Sequence, residues 1–293
     1  MMTAIDMSGL VHKTARVNGL NFHYVEAGKG PLVILLHGFP EFWYSWRQQI
    51  PALVEAGYRV MAPDMRGYNL TDSPSKTSKY TIDVLASDVV GLIQHAGEQN
   101  AHVVGHDWGA AIAWHVAMRY PKMVNQLAIL NGPHPKVFER GIWRPRQLLR
   151  SWYMFFFQIP FLPELYMSKR YPKVMRKIST KHYVNQGKLS LNDIDVYSKV
   201  FKDRKSVRGP INYYRAVFRH PFASRNSNSV INAKTLVIWG RNDLHLGIGL
   251  SKPKSEHVPH CHVEYLDASH WVQQDASAEV NSLLIDFFGS RED

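Results

Sequence analysis

The chain has 293 residues, 45% of them hydrophobic, enough for one large domain or for a core with a subdomain. Its one cysteine, Cys261, excludes an internal disulfide framework and every cysteine-cluster metal site. The net charge of +11 resembles a nucleic-acid signal until it is mapped: residues 136–225 hold 20 Lys and Arg against 5 Asp and Glu, the rest 15 against 19.

The first residues, MMTAIDMSGLVHKTARVNG, lack the charged start and apolar run of a secretory signal. NFHYVEAG (21–28) alternates like an exposed strand and ends in the turn GKGP. LVILLHG (32–38) and YRVMAPD (58–64) are short apolar runs, as expected of strands buried on both faces. Between them, EFWYSWRQQIPALVEAG has helical spacing and closes on Gly57, a C-cap glycine. TIDVLASDVVGLIQHAG (81–97) predicts a second helix, AHVVGHD a strand, WGAAIAWHVAMRYP a helix stopped by Pro121, and VNQLAILNG (124–132) another strand. Such alternation implies an α/β fold with a mostly parallel central sheet and helices on both faces.

At NGPHP (131–135) the rhythm changes. The residues from about 136 to 225 are basic, aromatic and helical in pattern, with no buried strand. KTLVIWG (234–240), HVEYL (262–266) and the amphipathic SAEVNSLLIDFF (277–288) then resume the α/β order. The expected division is a core in two parts, 1–132 and 226–293, with a basic helical lid at 133–225 over the carboxyl ends of the strands. The most apolar stretch, WYMFFFQIPFL (152–162), is too short to span a bilayer, so a soluble, cytoplasmic protein is expected. Its aromatics are read as lining an apolar substrate tunnel and the basic segment as a solvated face. The alternative is peripheral contact of the basic lid with an anionic membrane. No nucleic-acid partner is expected.

GHDWG (105–109) fits G-x-Nu-x-G, the sharp strand-to-helix turn that presents a nucleophile, here Asp107. Read alone, it is equally a strand–helix turn with a capping Asp. The partners required by this fold follow in order: Asp243 just past the strand VIWG, then His270 just past YLDAS. HGFP (37–40) ends another strand and offers the N–H of Phe39 to an oxyanion hole completed by that of Trp108. A carboxylate at the elbow selects the electrophile. Serine on a saturated carbon would form an ether with no hydrolytic exit, whereas Asp107 would form an ester that histidine-activated water can cleave. Epoxides and alkyl halides suit it. A simple esterase is disfavoured.

The stretches HGFPEFWYSWRQQIPALVEAGYRVMAPDMRGY, GHDWGAAIAWHVAMRYP, NGPHP and SHWVQQD resemble the epoxide hydrolases of the α/β-hydrolase fold over nearly the whole chain. The resemblance implies conversion of an apolar epoxide to a vicinal diol, with water and no cofactor or metal. It also implies two lid tyrosines donating to the epoxide oxygen: Tyr214, from INYYRA, and Tyr153, from WYMFFFQIP. Trp108, Phe39 and Trp271 are expected to line the substrate site. The related haloalkane dehalogenases share the triad, but many place Asn where this chain has Phe39, and some place the acid where it has Asn131. A non-catalytic binder on this fold is the remaining alternative, although such proteins typically lose a triad member.

Two positions depart from the family pattern, Asn69 in DMRGYNLTDSP and His245 beside the triad acid. Asp64 and Asp72 are read as loop-shaping, His37 as a support of the oxyanion loop, His106 as pointing into the fold, and His134 as structural at the lid hinge. EHVPHCH (256–262) gathers three histidines and Cys261 but lacks regular ligand spacing, so no metal is expected there.

Overall fold

The computed structural model describes residues 9–169, 173, 190–220 and 230–290. Eight strands form one sheet: β1 (Val11–Val17), β2 (Leu20–Ala27), β3 (Leu32–Leu36), β4 (Arg59–Pro63), β5 (Ala101–His106), β6 (Val124–Leu130), β7 (Lys234–Gly240) and β8 (Cys261–Leu266). Their order is β1-β2-β4-β3-β5-β6-β7-β8. The β1/β2 and β2/β4 pairs are antiparallel, and every other pair is parallel.

The continuous apolar runs follow from two covered faces. Ile34, Leu36, Val103, Ile129 and Val237 face one core cluster, together with α2 (Ile82–His95) and α3 (Trp108–Arg119). Their neighbours Val33, Leu35, Val104, Leu130 and Ile238 face the other, with α1 (Gln49–Glu55) and α11 (Ser277–Gly289). The pleat sends successive side chains to opposite faces, so both parities must be apolar. Gly57 follows α1 with φ +90° and Gly97 follows α2 with φ +80°, the left-handed turns expected at those helix ends.

Two expectations at the N-terminal end need correction. VHKTARV forms edge strand β1, for which the sequence reading has no strand at all. Its outward residues are exposed and only Ala15 and Val17 are buried, so its apolar signal is weak. Strand β2 is not the half-exposed strand its alternation suggests: Phe22, His23, Tyr24, Val25 and Glu26 are all buried. The polar members find partners where they lie, His23 Nδ1 2.6 Å from Asp64 and Glu26 between Lys13 and Arg59.

Between β6 and β7 the described residues are helical: α4 (Pro135–Gly141), α5 (Pro145–Arg150), α6 (Trp152–Phe156), α7 (Leu162–Lys169), α8 (Leu191–Val200) and α9 (Arg204–Arg219). Helices α8 and α9 begin with reciprocal capping boxes, Ser190 with Asp193 and Asp203 with Ser206. Arg215 ties α9 to α7 through Glu164 and to the turn between α6 and α7 through the carbonyls of Phe157 and Ile159. The short helix α10 (Val272–Asp275) completes the elements. No helix among the described residues is long and apolar enough to cross a membrane.

Candidate active site

Asp107 stands between β5 and α3 with φ +52° and ψ −113°, a backbone that few non-glycine residues adopt. The turn is tight enough to require its glycines: a Cβ on Gly109 would sit 2.0 Å from the Leu36 carbonyl oxygen. Leu36 ends β3, so the elbow is pressed against the strand that leads into the Phe39 loop. The Phe39 N–H donates to Asp107 Oδ1 at 2.9 Å. Trp108 opens α3, and first-turn N–H groups have no partner within their helix.

The other oxygen, Asp107 Oδ2, lies 3.5 Å from His270 Nε2, and His270 Nδ1 donates to Asp243 Oδ2 at 2.7 Å. The two acids therefore bracket one imidazole. Burial opposes charge on His270, but the carboxylates win and hold its pKa well above the ordinary value. Burial would likewise raise both acids, yet His270 keeps Asp107 low and, with the Leu246 N–H and Asn131, brings Asp243 down to about 2.

Three of these groups follow the carboxyl ends of β5, β7 and β8, where open parallel sheets place their sites. A fourth strand end contributes as well. Asn131, just past β6 and left-handed at φ +40°, donates to Asp243 Oδ2 at 2.7 Å and accepts the Gly240 N–H at 2.9 Å. The sequence reading weighed Asn131 only as a position without an acid. Its function as the clamp on Asp243 depends on β6 and β7 being neighbours, which no local pattern states.

A second unforeseen group is Glu41, which is buried. It accepts from Gln274 at 2.7 Å, from Gln273 at 3.2 Å and from the Gly38 N–H at 3.4 Å, and it lies 2.8 Å from His106 Nδ1. The other nitrogen of His106 meets the His270 carbonyl at 2.9 Å. His106 thus points into the fold, as expected, and links the Phe39 loop to the backbone of His270. His37 supports the same loop: Nδ1 faces the Gly38 carbonyl at 2.9 Å and Nε2 accepts the Met65 N–H at 2.9 Å. Those fixed partners define its tautomer, and burial lowers its pKa, keeping it neutral.

The helical segment brings its two tyrosines to this point. The Tyr214 ring stands edge-on to Trp108 at 5.1 Å and Phe39 at 5.3 Å, and 5.7 Å from the Tyr153 ring. Phe157 closes the group at 5.0 Å from Tyr214. Burial, then the neighbouring phenol and Asp107, push Tyr214 well above its ordinary pKa; burial, Asp107 and Asp243 do the same for Tyr153. Both remain protonated donors. Tyr213 points away, its hydroxyl donating to the Arg66 carbonyl at 2.9 Å.

The acid side of the chamber carries an imidazole. His245 packs 5.2 Å from His270, 5.9 Å from Tyr153 and 5.7 Å from Trp271. Trp271 itself lies 5.4 Å from His270. Burial and the charge of His270 lower the pKa of His245 to about 4. The other departure is local: Asn69 takes a left-handed φ of +43° and donates to Asp64, so the loop turns without a glycine.

Asp64 and Asp72 shape that loop as expected, Asp64 accepting from Trp43 and Asn69 and Asp72 from Asn21. His134 stacks on His257 at 5.5 Å, and His262 turns to Glu264. Among the described residues no group of three or more His, Cys, Asp or Glu could hold a metal ion.

Comparison with known proteins places this constellation. Residues 31–277 match the model of the alpha/beta hydrolase fold. The chain belongs to the α/β-hydrolase family. Epoxide hydrolase 4 of Homo sapiens is 40% identical over 279 residues, covering 92% of this chain and 76% of that protein. AB hydrolase superfamily protein YfhM of Bacillus subtilis is 37% identical over 286 residues, covering 96% of this chain and 99% of that protein. The solved epoxide hydrolase of Bacillus megaterium, in complex with an inhibitor, superposes with a TM-score of 0.86 at 34% identity, covering 95% of this chain and 100% of that one. Within the α/β-hydrolase family, this chain is similar to proteins named epoxide hydrolases in both sequence and structure.

Proposed function

We propose that the protein is an epoxide hydrolase that converts an apolar epoxide and water to a vicinal diol, with residues 133–225 acting as its cap. The supporting observation is a carboxylate at the elbow, engaged by the Phe39 N–H and His270, beside two protonated tyrosines, Tyr214 buried and Tyr153 half-buried. Asp107 attacks a ring carbon, and the C–O bond breaks as Tyr214 and Tyr153 protonate the leaving oxygen. A halide would have no use for these phenols, which disfavours the dehalogenase alternative. An intact triad likewise disfavours a non-catalytic binder.

The coupling of His270 to two acids supplies the timing. Esterification removes the charge of Asp107, so the proton affinity of His270 falls and it yields its proton, replacing the one the tyrosine gave up. The neutral imidazole, oriented by Asp243, then takes a proton from water as that water attacks the ester carbonyl. The N–H groups of Phe39 and Trp108 stabilise the oxyanion. Collapse releases the diol and restores the Asp107 carboxylate and the His270 cation. Phe39, Trp108 and Trp271 line an aromatic chamber suited to an apolar substituent.

Assay against a panel of aryl and lipid epoxides and haloalkanes tests the reading. Diol from at least one epoxide is expected. Halide release without diol from any epoxide would reject it.

A further inference from the structure

We infer that the outer face of the cap docks on an anionic lipid bilayer. The aromatic run at 152–157 divides by direction. Met154 and Phe157 are buried and Tyr153 joins the site, whereas Trp152 is 61% and Phe155 41% exposed. A tunnel lining accounts only for the inward set. Of the fifteen large apolar side chains exposed among the described residues, nine fall in 143–162 and 217–218, so the exposure concentrates in this part of the cap rather than scattering along the chain.

The face is continuous across two parts of the cap. Phe218, at the end of α9, packs 5.5 Å from Phe155, and Trp152 lies one turn earlier on α6, 6.0 Å from Phe156. Ile159, Phe161 and Leu162 extend it toward α7. Phe161 is 77% exposed and left-handed at φ +61°, in a tight turn closed by the Leu162 N–H on the Pro160 carbonyl at 2.7 Å. A bulky side chain rarely takes this backbone, and here the turn holds the phenyl ring out in solvent.

Charge chooses the occupant. Between Arg140 and Lys169 and in the last turn of α9, Glu164 is the sole acid, buried against Arg215. Glu139, just outside this range, lies 4.0 Å from Lys136. The exposed charges within these two stretches are Arg140, Arg144, Arg146, Lys169 and Arg219, all positive, and Glu256 from outside them lies near Arg140 alone among the five. A second copy would set the same cationic rim against itself. Nucleic-acid phosphate would leave Leu149, Ile159 and Leu162 in water. An anionic bilayer satisfies both sets, with apolar rings at the acyl boundary and guanidinium groups among the headgroups. Because Tyr153 and Phe157 share this segment with Trp152 and Phe155, docking would place the roof of the candidate site against the membrane.

Full-length protein should co-sediment with vesicles of phosphatidylcholine mixed with phosphatidylglycerol at low salt, and much less with phosphatidylcholine alone or at high salt. Phe155→Ser with Phe161→Ser should weaken that partitioning roughly tenfold or more. Arg144→Glu with Arg146→Glu should remove the preference for anionic lipid. Both double variants should keep the wild-type circular dichroism spectrum and turnover of a small water-soluble epoxide. Absence of sedimentation with the anionic vesicles at low salt overturns the inference, as does binding that neither variant reduces. Self-association in sedimentation velocity that Phe155→Ser/Phe161→Ser abolishes would assign the face to a second copy and overturn it equally.

Discussion

His270→Gln separates the two halves of the proposed reaction. The imidazole touches both acids, Nδ1 at 2.7 Å from Asp243 and Nε2 at 3.5 Å from Asp107, while the Phe39 N–H on Asp107 Oδ1 does not depend on it. Asp243 keeps Asn131 and the N–H groups of His245 and Leu246. The variant should therefore retain its fold and still open an epoxide once. Ester hydrolysis loses its base, a step worth about 10²–10⁴-fold, or roughly 3–5 kcal/mol of barrier. Intact-mass spectrometry after mixing with an epoxide should show one substrate mass added per chain, mapped by peptide digestion to Asp107. Decay of the adduct should be slower than wild-type turnover by that factor. Steady-state turnover at the wild-type rate, or an adduct on a residue other than Asp107, would refute the assignment of both His270 and the elbow.

Tyr214→Phe should slow epoxide opening by about 10²-fold while leaving any halide displacement nearly unchanged, and the double variant with Tyr153→Phe should slow opening further; single-turnover adduct formation measures both. Glu41→Ala should destabilise the protein by about 3 kcal/mol, because it strands His106, Gln273 and Gln274 as buried groups without their acceptor; urea denaturation reads the loss. Buried His102 and His134 and half-buried His245 each have a pKa lowered from 6.5 to about 4, in each case by desolvation first. Their folded forms stay neutral while the unfolded chain takes up protons, so stability should be full above about pH 6.5 and fall as pH drops toward 4. Thermal melts from pH 7 to 5 should show this limb, and His245→Leu should make it shallower; an unchanged slope would reject the neutral state of His245. Asp243 works lower on the scale: its pKa falls from 3.8 to about 2, so its contribution is present above pH 4 and lost toward pH 2. Asp243→Asn should flatten that part of the acid-unfolding curve.

Much of the scaffold was legible because its signals are local. LVILL and RVMAP read as doubly buried strands since a parallel sheet covered by helices needs apolar residues of both parities. Gly105 and Gly109 mark the elbow because nothing larger fits where strand and helix nearly touch. Strand β1 was illegible because an edge strand buries so little, and β2 misled because its polar residues are buried with partners that lie elsewhere in the chain.

By itself the sequence determined the order of the core strands after β1 and of the helices between them, the elbow carboxylate, and the acid and histidine that follow later strands, since each is written in contiguous residues. The tertiary structure decided which side chains converge. Asn131 reaches Asp243 only because β6 lies beside β7, and Glu41 joins His106, Gln273 and Gln274 only when the Phe39 loop packs on α10. It also decided direction. Adjacent residues of one aromatic run, Trp152 and Tyr153, separate into an exposed face and a candidate site because a helix turns each residue about 100° from the last. Composition is blind to that rotation until the helix is packed.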